Sequence, residues 1–197
     1  MRIIAGKSRG TVLADVGKGD VAAHLRPTSD RVRESLFSML THHNVINGAR
    51  VLDLFAGTGA LGLEALSRGA QSVCFVENGR VGQRLIGENI AKMRVAEQTT
   101  LLRNDATGLG PWRQAPFDLV FLDPPYGKGM GQQALAAAQA GGWLAAGAMI
   151  VWEENAAQFA PKGFTRLDSR KYGDTHVTLL EVTPSPLSPR PAVSYLR

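Results

Sequence analysis

Apolar residues between positions 50 and 182 follow two alternating patterns, and each pattern predicts a different secondary structure. Helical spacing, with apolar residues three or four positions apart, predicts helices over 60–68, 81–92 and 132–140. Short runs in which most residues are apolar predict buried strands over 50–55, 72–76, 99–103, 118–123 and 148–152. Two further runs, 164–172 and 176–182, predict a closing antiparallel pair of strands.

This alternation of strands and helices predicts an α/β fold. Its central feature is a parallel sheet, covered by helices on both faces and joined by right-handed crossovers. In such a sheet a ligand binds beyond the carboxyl ends of the strands, so functional residues are expected there. Ahead of the sheet, residues 28–40 predict an amphipathic helix capped by Thr28 or Ser29.

Composition indicates an ordinary globular chain of one domain. The 197 residues are 44% hydrophobic and 20% charged, which argues against disorder and coiled coil. A single cysteine, Cys74, excludes an internal disulfide framework and fits a reducing cytosol. The first residues lack the apolar run of a signal peptide, so a cytoplasmic protein is expected.

One uncharged stretch, residues 129–152, is long enough to span a bilayer. It is rich in Gly and Ala, however, whereas membrane spans are richer in Leu, Ile, Val and Phe. We therefore expect a helix followed by a buried strand and no membrane association.

Basic charge is concentrated at the beginning of the chain. Residues 1–33 carry seven basic and three acidic side chains, whereas the remaining residues carry fifteen and fourteen. Lys and Arg gain free energy when they release counterions from phosphates, so this segment is typical of a polyanion-binding surface. The candidate contacts are Arg2, Lys7, Arg9, Arg26, Arg31 and Arg33.

A glycine-rich turn follows the first predicted strand, in the sequence VLDLFAGTGALG (residues 51–62). Gly57, Gly59 and Gly62 match the dinucleotide-binding spacing, and Glu77 lies 20 residues after the first of them. The same turn resembles the first motif of S-adenosylmethionine-dependent methyltransferases, most closely through Asp53 and Phe55. Both interpretations require glycines, which let the backbone approach a nucleoside, and a carboxylate that accepts hydrogen bonds from the diol of that nucleoside. The turn alone does not identify the ligand.

The motif D-P-P-Y, residues 123–126, follows the fourth strand at its carboxyl end. It resembles the signature of methyltransferases that modify exocyclic amino nitrogens. An aryl amine is a poor nucleophile because its lone pair is delocalised. Acceptors such as the Asp123 carboxylate and the Pro124 carbonyl stabilise the positive charge that develops on its nitrogen. Tyr126 offers a ring on which a flipped base can stack. A dehydrogenase has no use for this element, which disfavours the dinucleotide interpretation.

Longer matches identify a family. The segments RIIAG (residues 2–6) and LRPTSDRVRE (residues 25–34) resemble the RsmD-type 16S ribosomal RNA (guanine-N2)-methyltransferases, and the resemblance extends from Arg2 to about Val182. It implies a Rossmann-like class I methyltransferase fold, with a mostly parallel seven-stranded sheet and a small basic N-terminal extension. It also implies methyl transfer from S-adenosylmethionine to the N2 of one guanine in 16S rRNA, guanine 966 in the family's usual numbering, during small-subunit assembly.

The resemblance also assigns roles. Asp123, Pro124 and Tyr126 are the implied catalytic residues, and Asp105 is implied to accept from the adenine amino group. The implied cofactor-binding set is Asp53, Phe55, Gly57, Gly59, Glu77, Asn78, Asp105, Ala106 and Asp123. After Glu77 comes Asn78-Gly79-Arg80, whereas relatives often carry a further polar or acidic residue at the second of these positions.

We expect three segments: a basic RNA-contacting extension (1–27), the methyltransferase domain (28–182) and a disordered Pro-rich tail (183–197) that lies outside the family pattern. The expected protein is a monomer that acts on 16S rRNA within an assembling small subunit. The histidines show no metal-ligand spacing, and no metal is predicted.

Two alternatives remain open. The first is a methyltransferase for another amino group, either adenine N6 in RNA or DNA or a protein amide. The second is a non-enzymatic RNA-binding module, which would keep the basic segment but has no need of Asp123 or the glycine turn.

Overall fold

The computed structural model describes residues 1–15 and 30–183. Four α-helices occur in these residues: α1 (Asp30–His42), α2 (Ala60–Ser67), α3 (Arg80–Met93) and α4 (Met130–Ala140). The strands are β1 (Arg50–Leu54), β2 (Ser72–Val76), β3 (Thr99–Leu102), β4 (Phe117–Leu122), β5 (Leu144–Glu154), β6 (Phe164–Tyr172) and β7 (Thr175–Val182).

The seven strands form one sheet in the order β3-β2-β1-β4-β5-β7-β6. The first five strands in this order are parallel, and β7 runs antiparallel to both β5 and β6. The predicted α/β sheet and its closing antiparallel pair are therefore confirmed. From β1 the chain moves outward to β3 and then returns to place β4 on the other side of β1, so the order reverses between these two strands. Ligands of open α/β sheets bind at such a switch point.

Hydrophobic side chains are buried on both faces of the sheet. Alternate residues of one strand point to opposite faces, so Val51 and Leu52 lie in different core clusters. Side chains of α1, α2 and α3 belong to the cluster that contains Val51. Side chains of α4 belong to the cluster that contains Leu52. This confirms the expected covering of both faces.

Strand β5 is longer than the strand over 148–152 that its apolar run predicts. It begins at Leu144 with four residues that are exposed or half-buried, and it ends with two buried carboxylates, Glu153 and Glu154. The apolar run marks the fully buried apolar residues, so it omits both the half-buried or exposed residues before it and the charged residues after it.

Residues 1–15, here called the N-terminal arm, fold back on themselves with a bridge between Arg2 and Val12. Ile3 and Leu13 are buried in the same core cluster as α1 and α2. Gly6 has a φ of +83°, and a Cβ atom there would lie 1.8 Å from the Ser67 carbonyl oxygen of α2. The arm thus packs closely on the sheet-bearing domain. The predicted boundary at residue 27, the predicted caps Thr28 and Ser29, and the Pro-rich tail beyond Thr183 lie outside the described residues.

The uncharged stretch 129–152 forms α4 and most of β5, as expected. In the part of the chain that the structure describes, no helix is both long and apolar enough to cross a membrane. Cys74 is buried in β2, and burial raises the pKa of its thiol to about 12. It is therefore a core residue.

Candidate active site

The glycine loop, residues 55–59, joins β1 to α2 at the carboxyl edge of the sheet. Three of its residues have left-handed backbone: Phe55 (φ +59°), Gly57 (+56°) and Gly59 (+75°). Gly59 immediately precedes the first residue of α2, and its amide donates to the Ala56 carbonyl at 2.7 Å. Glycine adopts this conformation without a steric cost, whereas Phe55 does so at a cost, as residues at functional sites often do.

Glu77, directly after β2, fixes the glycine loop. One of its carboxylate oxygens accepts from the Gly57 amide at 2.8 Å, and the other accepts from the Gly79 amide at 2.7 Å. Glu77 is half-buried and Asn78 beside it is exposed. Each oxygen of a carboxylate has a second acceptor position, so these bonds leave Glu77 able to accept from a diol. Gly57 and Glu77, which are 20 residues apart in the sequence, are thus in direct contact.

Asp53 lies within β1 and is buried. Its carboxylate accepts from the Gly62 amide at 2.9 Å, which ties the strand to α2. Burial raises the pKa of Asp53 to about 8; the Gly62 amide opposes this rise, and the negative charge of Glu77 adds to it. A Cβ at Gly62 would lie 2.5 Å from the Phe75 ring and 3.0 Å from the Asp53 carboxylate. The third glycine of the motif therefore serves close packing of the helix on the strands.

Asp105 follows β3 at the same edge and is exposed. One of its oxygens accepts from both the Thr107 amide (2.8 Å) and the Thr107 hydroxyl (2.7 Å), and these bonds lower the pKa of Asp105. The side chain is thus an oriented, ionised acceptor. Ala106 beside it is buried and begins a short 3-10 helix.

The DPPY loop, residues 123–129, joins β4 to α4. It begins beside the end of β1, where the Asp123 amide nitrogen lies 3.5 Å from the Leu54 carbonyl oxygen. Asp123 and Tyr126 are half-buried, and Pro124 is buried. The sheet order therefore brings D-P-P-Y next to the glycine loop, although 64 residues separate Asp123 from Gly59.

Two strands hold the DPPY loop in place. The Tyr126 hydroxyl donates to Glu153 at 3.0 Å and shares a hydrogen bond with the Thr175 hydroxyl at 3.2 Å. The Gly127 amide donates to Glu154 at 3.2 Å. The phenol end of Tyr126 is thus anchored to β5 and β7, so the orientation of its ring is set from outside the motif.

Carboxylates are concentrated at this end of the sheet. Burial is the main cause that raises the pKa of Asp123 well above its usual value, and the negative charges of Glu153, Asp53 and Glu154 add to the shift. Burial also raises the pKa of Tyr126, which keeps its hydroxyl protonated as a donor. Negative charges grouped in this way would stabilise a positive charge that develops beside them.

Three residues of the site, Glu153, Glu154 and Thr175, were not predicted from the sequence. The two glutamates directly follow an apolar strand that ends at the functional edge. The rule that singled out Asp123 would have found them had it been applied to β5.

The predicted RNA contacts divide into exposed, buried and undescribed residues. Arg2, Lys7, Arg9 and Arg31 are exposed. Arg33 is fully buried, and its Nη2 donates to the Arg2 carbonyl and to Asp30, both at 2.7 Å. The prediction for Arg33 is therefore corrected: its guanidinium joins the start of α1 to the arm and is not presented to a polyanion. Arg26 lies outside the described residues.

Residues 1–15 and 30–183 contain no group of three or more His, Cys, Asp or Glu side chains that could hold a metal ion.

Comparison with known proteins places the chain among its relatives. The family model described as "Conserved hypothetical protein 95" matches residues 1–181. The "Ribosomal RNA small subunit methyltransferase D" of Escherichia coli K12 is 40% identical over 154 residues, which cover 78% of this chain and 74% of that protein. The protein of the same name from Haemophilus influenzae is 34% identical over 178 residues, covering 88% and 89% of the two chains. This chain belongs to that family.

A solved structure agrees with this membership in the RsmD-type family. The "Putative methyltransferase yhhF from Escherichia coli" superposes with a TM-score of 0.79 at 33% identity, covering 94% of this chain and 99% of that one. The resemblance drawn from the N-terminal and catalytic motifs is thus confirmed, as is the Rossmann-like methyltransferase fold.

Proposed function

We propose that this protein transfers a methyl group from S-adenosylmethionine to the N2 of one guanine in 16S rRNA, guanine 966 in the family's usual numbering, while the small subunit is being assembled. The observation that carries the proposal is the position of Asp123 and Pro124 beside the glycine loop, at the switch point between β1 and β4. The names of the relatives, small-subunit rRNA methyltransferases, support an rRNA substrate.

The residues around the glycine loop fit S-adenosylmethionine. Glu77 has acceptor capacity for the ribose hydroxyls, and Asp105 for the adenine amino group. The backbone at Gly57 and Gly59 lets the nucleoside approach closely. Phe55, Asn78 and Ala106 are the neighbouring residues that would contact the cofactor. Asp53 holds α2 against β1. When bound, the cofactor supplies a methyl group on a sulfonium ion as the electrophile.

The DPPY loop prepares the guanine amino group as a nucleophile. The Asp123 carboxylate and the Pro124 carbonyl accept from its two N–H bonds, which favours a pyramidal nitrogen with its lone pair free. As the nitrogen forms its bond to the methyl carbon, the carbon–sulfur bond breaks, its electron pair stays on the departing sulfur, and the nitrogen releases one proton to Asp123 or to water. Tyr126 is held at its hydroxyl end by Glu153 and Thr175, which leaves the ring in a set position against a flipped base.

The exposed basic residues of the arm and of α1 supply the RNA contact in this proposal. Lys7 and Arg9 are exposed on the arm, and Arg31 is exposed on the first turn of α1. Phosphates bind such residues through counterion release. The expected monomer, the cytoplasmic location and the division of the chain at residues 27 and 182 remain predictions.

The test is an assay on purified components. Small subunits from cells that lack this protein are incubated with the protein and methyl-labelled S-adenosylmethionine, and the rRNA is digested to nucleosides. We expect label in N2-methylguanosine and, by primer extension, a stop at the one modified guanine. Label in N6-methyladenosine or in ribosomal protein would contradict the proposed target. Absence of labelling together with retained RNA binding would favour the non-enzymatic module.

A further inference from the structure

Asn89 on α3 is fully buried, and its whole amide is used in hydrogen bonds. Its Oδ1 accepts from the Ala14 amide at 2.6 Å, and its Nδ2 donates to the Ala14 carbonyl at 3.1 Å. The same Nδ2 donates to the Thr58 carbonyl at 3.0 Å. Because the Ala14 N–H requires an acceptor opposite it, these contacts fix which end of the amide is oxygen.

One side chain therefore joins the end of the N-terminal arm to the middle of the glycine loop. Thr58 stands between Gly57 and Gly59, the residues that let a nucleoside approach the backbone. The arm residue Ala14 and the loop residue Thr58 are 44 positions apart and share Asn89 as their partner. The arm end and the glycine loop are thus linked through hydrogen bonds to one side chain of α3.

The arm has a second attachment that does not touch the glycine loop. The Ile4 and Ala5 amides donate to the buried carboxylate of Glu64 at 2.8 and 3.0 Å, and Glu64 also pairs with Arg68 at 2.7 Å. These contacts hold the start of the arm on α2. The Asn89 contact differs because it includes a loop carbonyl as a third partner.

We propose that Asn89 is a positioning residue that couples RNA engagement by the N-terminal arm to cofactor binding at the glycine loop. This inference rests on the proposed function, since it assumes that the arm binds rRNA and the loop binds S-adenosylmethionine. Coupling between two sites is reciprocal, so RNA bound to the arm strengthens cofactor binding by the same factor as cofactor strengthens RNA binding.

The test measures this coupling in the full chain. Equilibrium dialysis gives the Kd of labelled S-adenosylhomocysteine, which avoids turnover, with and without saturating small subunits from cells that lack the protein. We expect subunits to lower the Kd of the wild-type protein roughly fivefold, which is a modest allosteric coupling. Asn89→Asp keeps the acceptor for the Ala14 amide but loses both donated bonds, so the ratio of the two Kd values should fall to about 1.

Glu64→Gln is the matched control, because it weakens the other arm attachment and leaves Thr58 untouched. Its ratio should stay at the wild-type value. A wild-type ratio near 1, an unchanged ratio in Asn89→Asp, or an equal loss in Glu64→Gln would each overturn the coupling. A wild-type protein that fails to bind S-adenosylhomocysteine would instead overturn the proposed cofactor, and with it this inference.

Hydrogen exchange in the wild-type protein decides the question if Asn89→Asp does not fold. Binding of S-adenosylhomocysteine should slow exchange at the Gly57 and Ala14 amides and leave the Ile4 and Ala5 amides unchanged. Protection at Gly57 without protection at Ala14 would overturn the proposal.

Discussion

The two halves of the carboxyl edge are held by different kinds of contact. On the half that we propose binds the cofactor, here the cofactor side, carboxylates accept from backbone amides: Glu77 from Gly57 and Gly79, and Asp53 from Gly62. On the half that we propose binds the target base, here the target side, the Tyr126 hydroxyl contacts Glu153 and Thr175. The first half is held through main-chain amides, whereas the second is held mainly through side chains from three separate strands or loops, with one main-chain bond from Gly127 to Glu154.

The two halves should therefore be sensitive to different kinds of substitution. A main-chain clamp depends on the space around glycines and on backbone conformation, so it should respond to added volume. Side-chain contacts among buried carboxylates depend on charge, so the target side should respond to pH and to charge-removing substitutions.

In the proposed function Asp123 accepts from the target amino group, so Asp123→Ala should cut kcat by about 100- to 1000-fold while RNA affinity stays within about twofold. Methylation of small subunits and RNA binding measure the two effects. Asp118→Ala is the control, since Asp118 is an exposed residue near the start of the same strand, β4, and binds the Arg50 amide. Near-normal turnover of Asp123→Ala would contradict the assigned role.

Gly62→Ala tests the dependence of the cofactor side on space. The added Cβ would lie 2.5 Å from the Phe75 ring and 2.7 Å from Val73, so the free energy of unfolding should fall by about 1–3 kcal/mol. Gly87→Ala on α3 is the control, because no atom beyond the adjoining residues and the backbone of its own helix lies within 4 Å of its Cβ position, and it should stabilise the protein by roughly 0.5–1 kcal/mol. Chemical denaturation gives both values. Equal changes in the free energy of unfolding for the two variants would contradict the packing argument.

Glu153→Gln tests the dependence of the target side on charge. If ionised Asp123 is the active form, activity falls as pH drops through the Asp123 pKa. Removing the charge of Glu153 lowers that raised pKa, so the acid limb of the kcat profile should move to lower pH.

Glu154→Gln is the comparison for this profile, because Glu154 contributes less than Glu153 to the same shift. Its acid limb should move in the same direction by a smaller amount. A limb that moves to higher pH in Glu153→Gln, or does not move, would break the link between this charge and Asp123.

The double variant Lys7→Ala, Arg9→Ala acts outside both halves and should give the smallest effect on chemistry. The slope of log affinity for RNA against log salt should fall by about one for each residue, with kcat at saturation unchanged. Arg113→Ala is the control, because this exposed arginine lies in the loop before β4, which leads to the amino edge of the sheet. An unchanged slope in the double variant would remove the arm from the RNA interface.

Much of the fold could be predicted because its signals are local. Strands β2 and β6 were predicted with the observed bounds, and the other elements differ by one to four residues at their ends. The glycine loop and D-P-P-Y were identified because their chemistry lies in adjacent residues. Arg33 was predicted wrongly, since a count of basic residues does not reveal that this guanidinium is buried against Arg2 and Asp30.

The amino-acid sequence by itself determined the order of strands and helices, the backbone freedom at Gly57 and Gly59, and the acceptor chemistry of Asp123. These properties follow from hydrophobic period and residue type. Only the tertiary structure decided which distant groups meet: Glu153 with Tyr126, and Asn89 with Ala14 and Thr58. The physical reason is that burial and hydrogen-bond partners depend on how the strands and helices pack, and residues far apart along the chain share these contacts only after the sheet has formed.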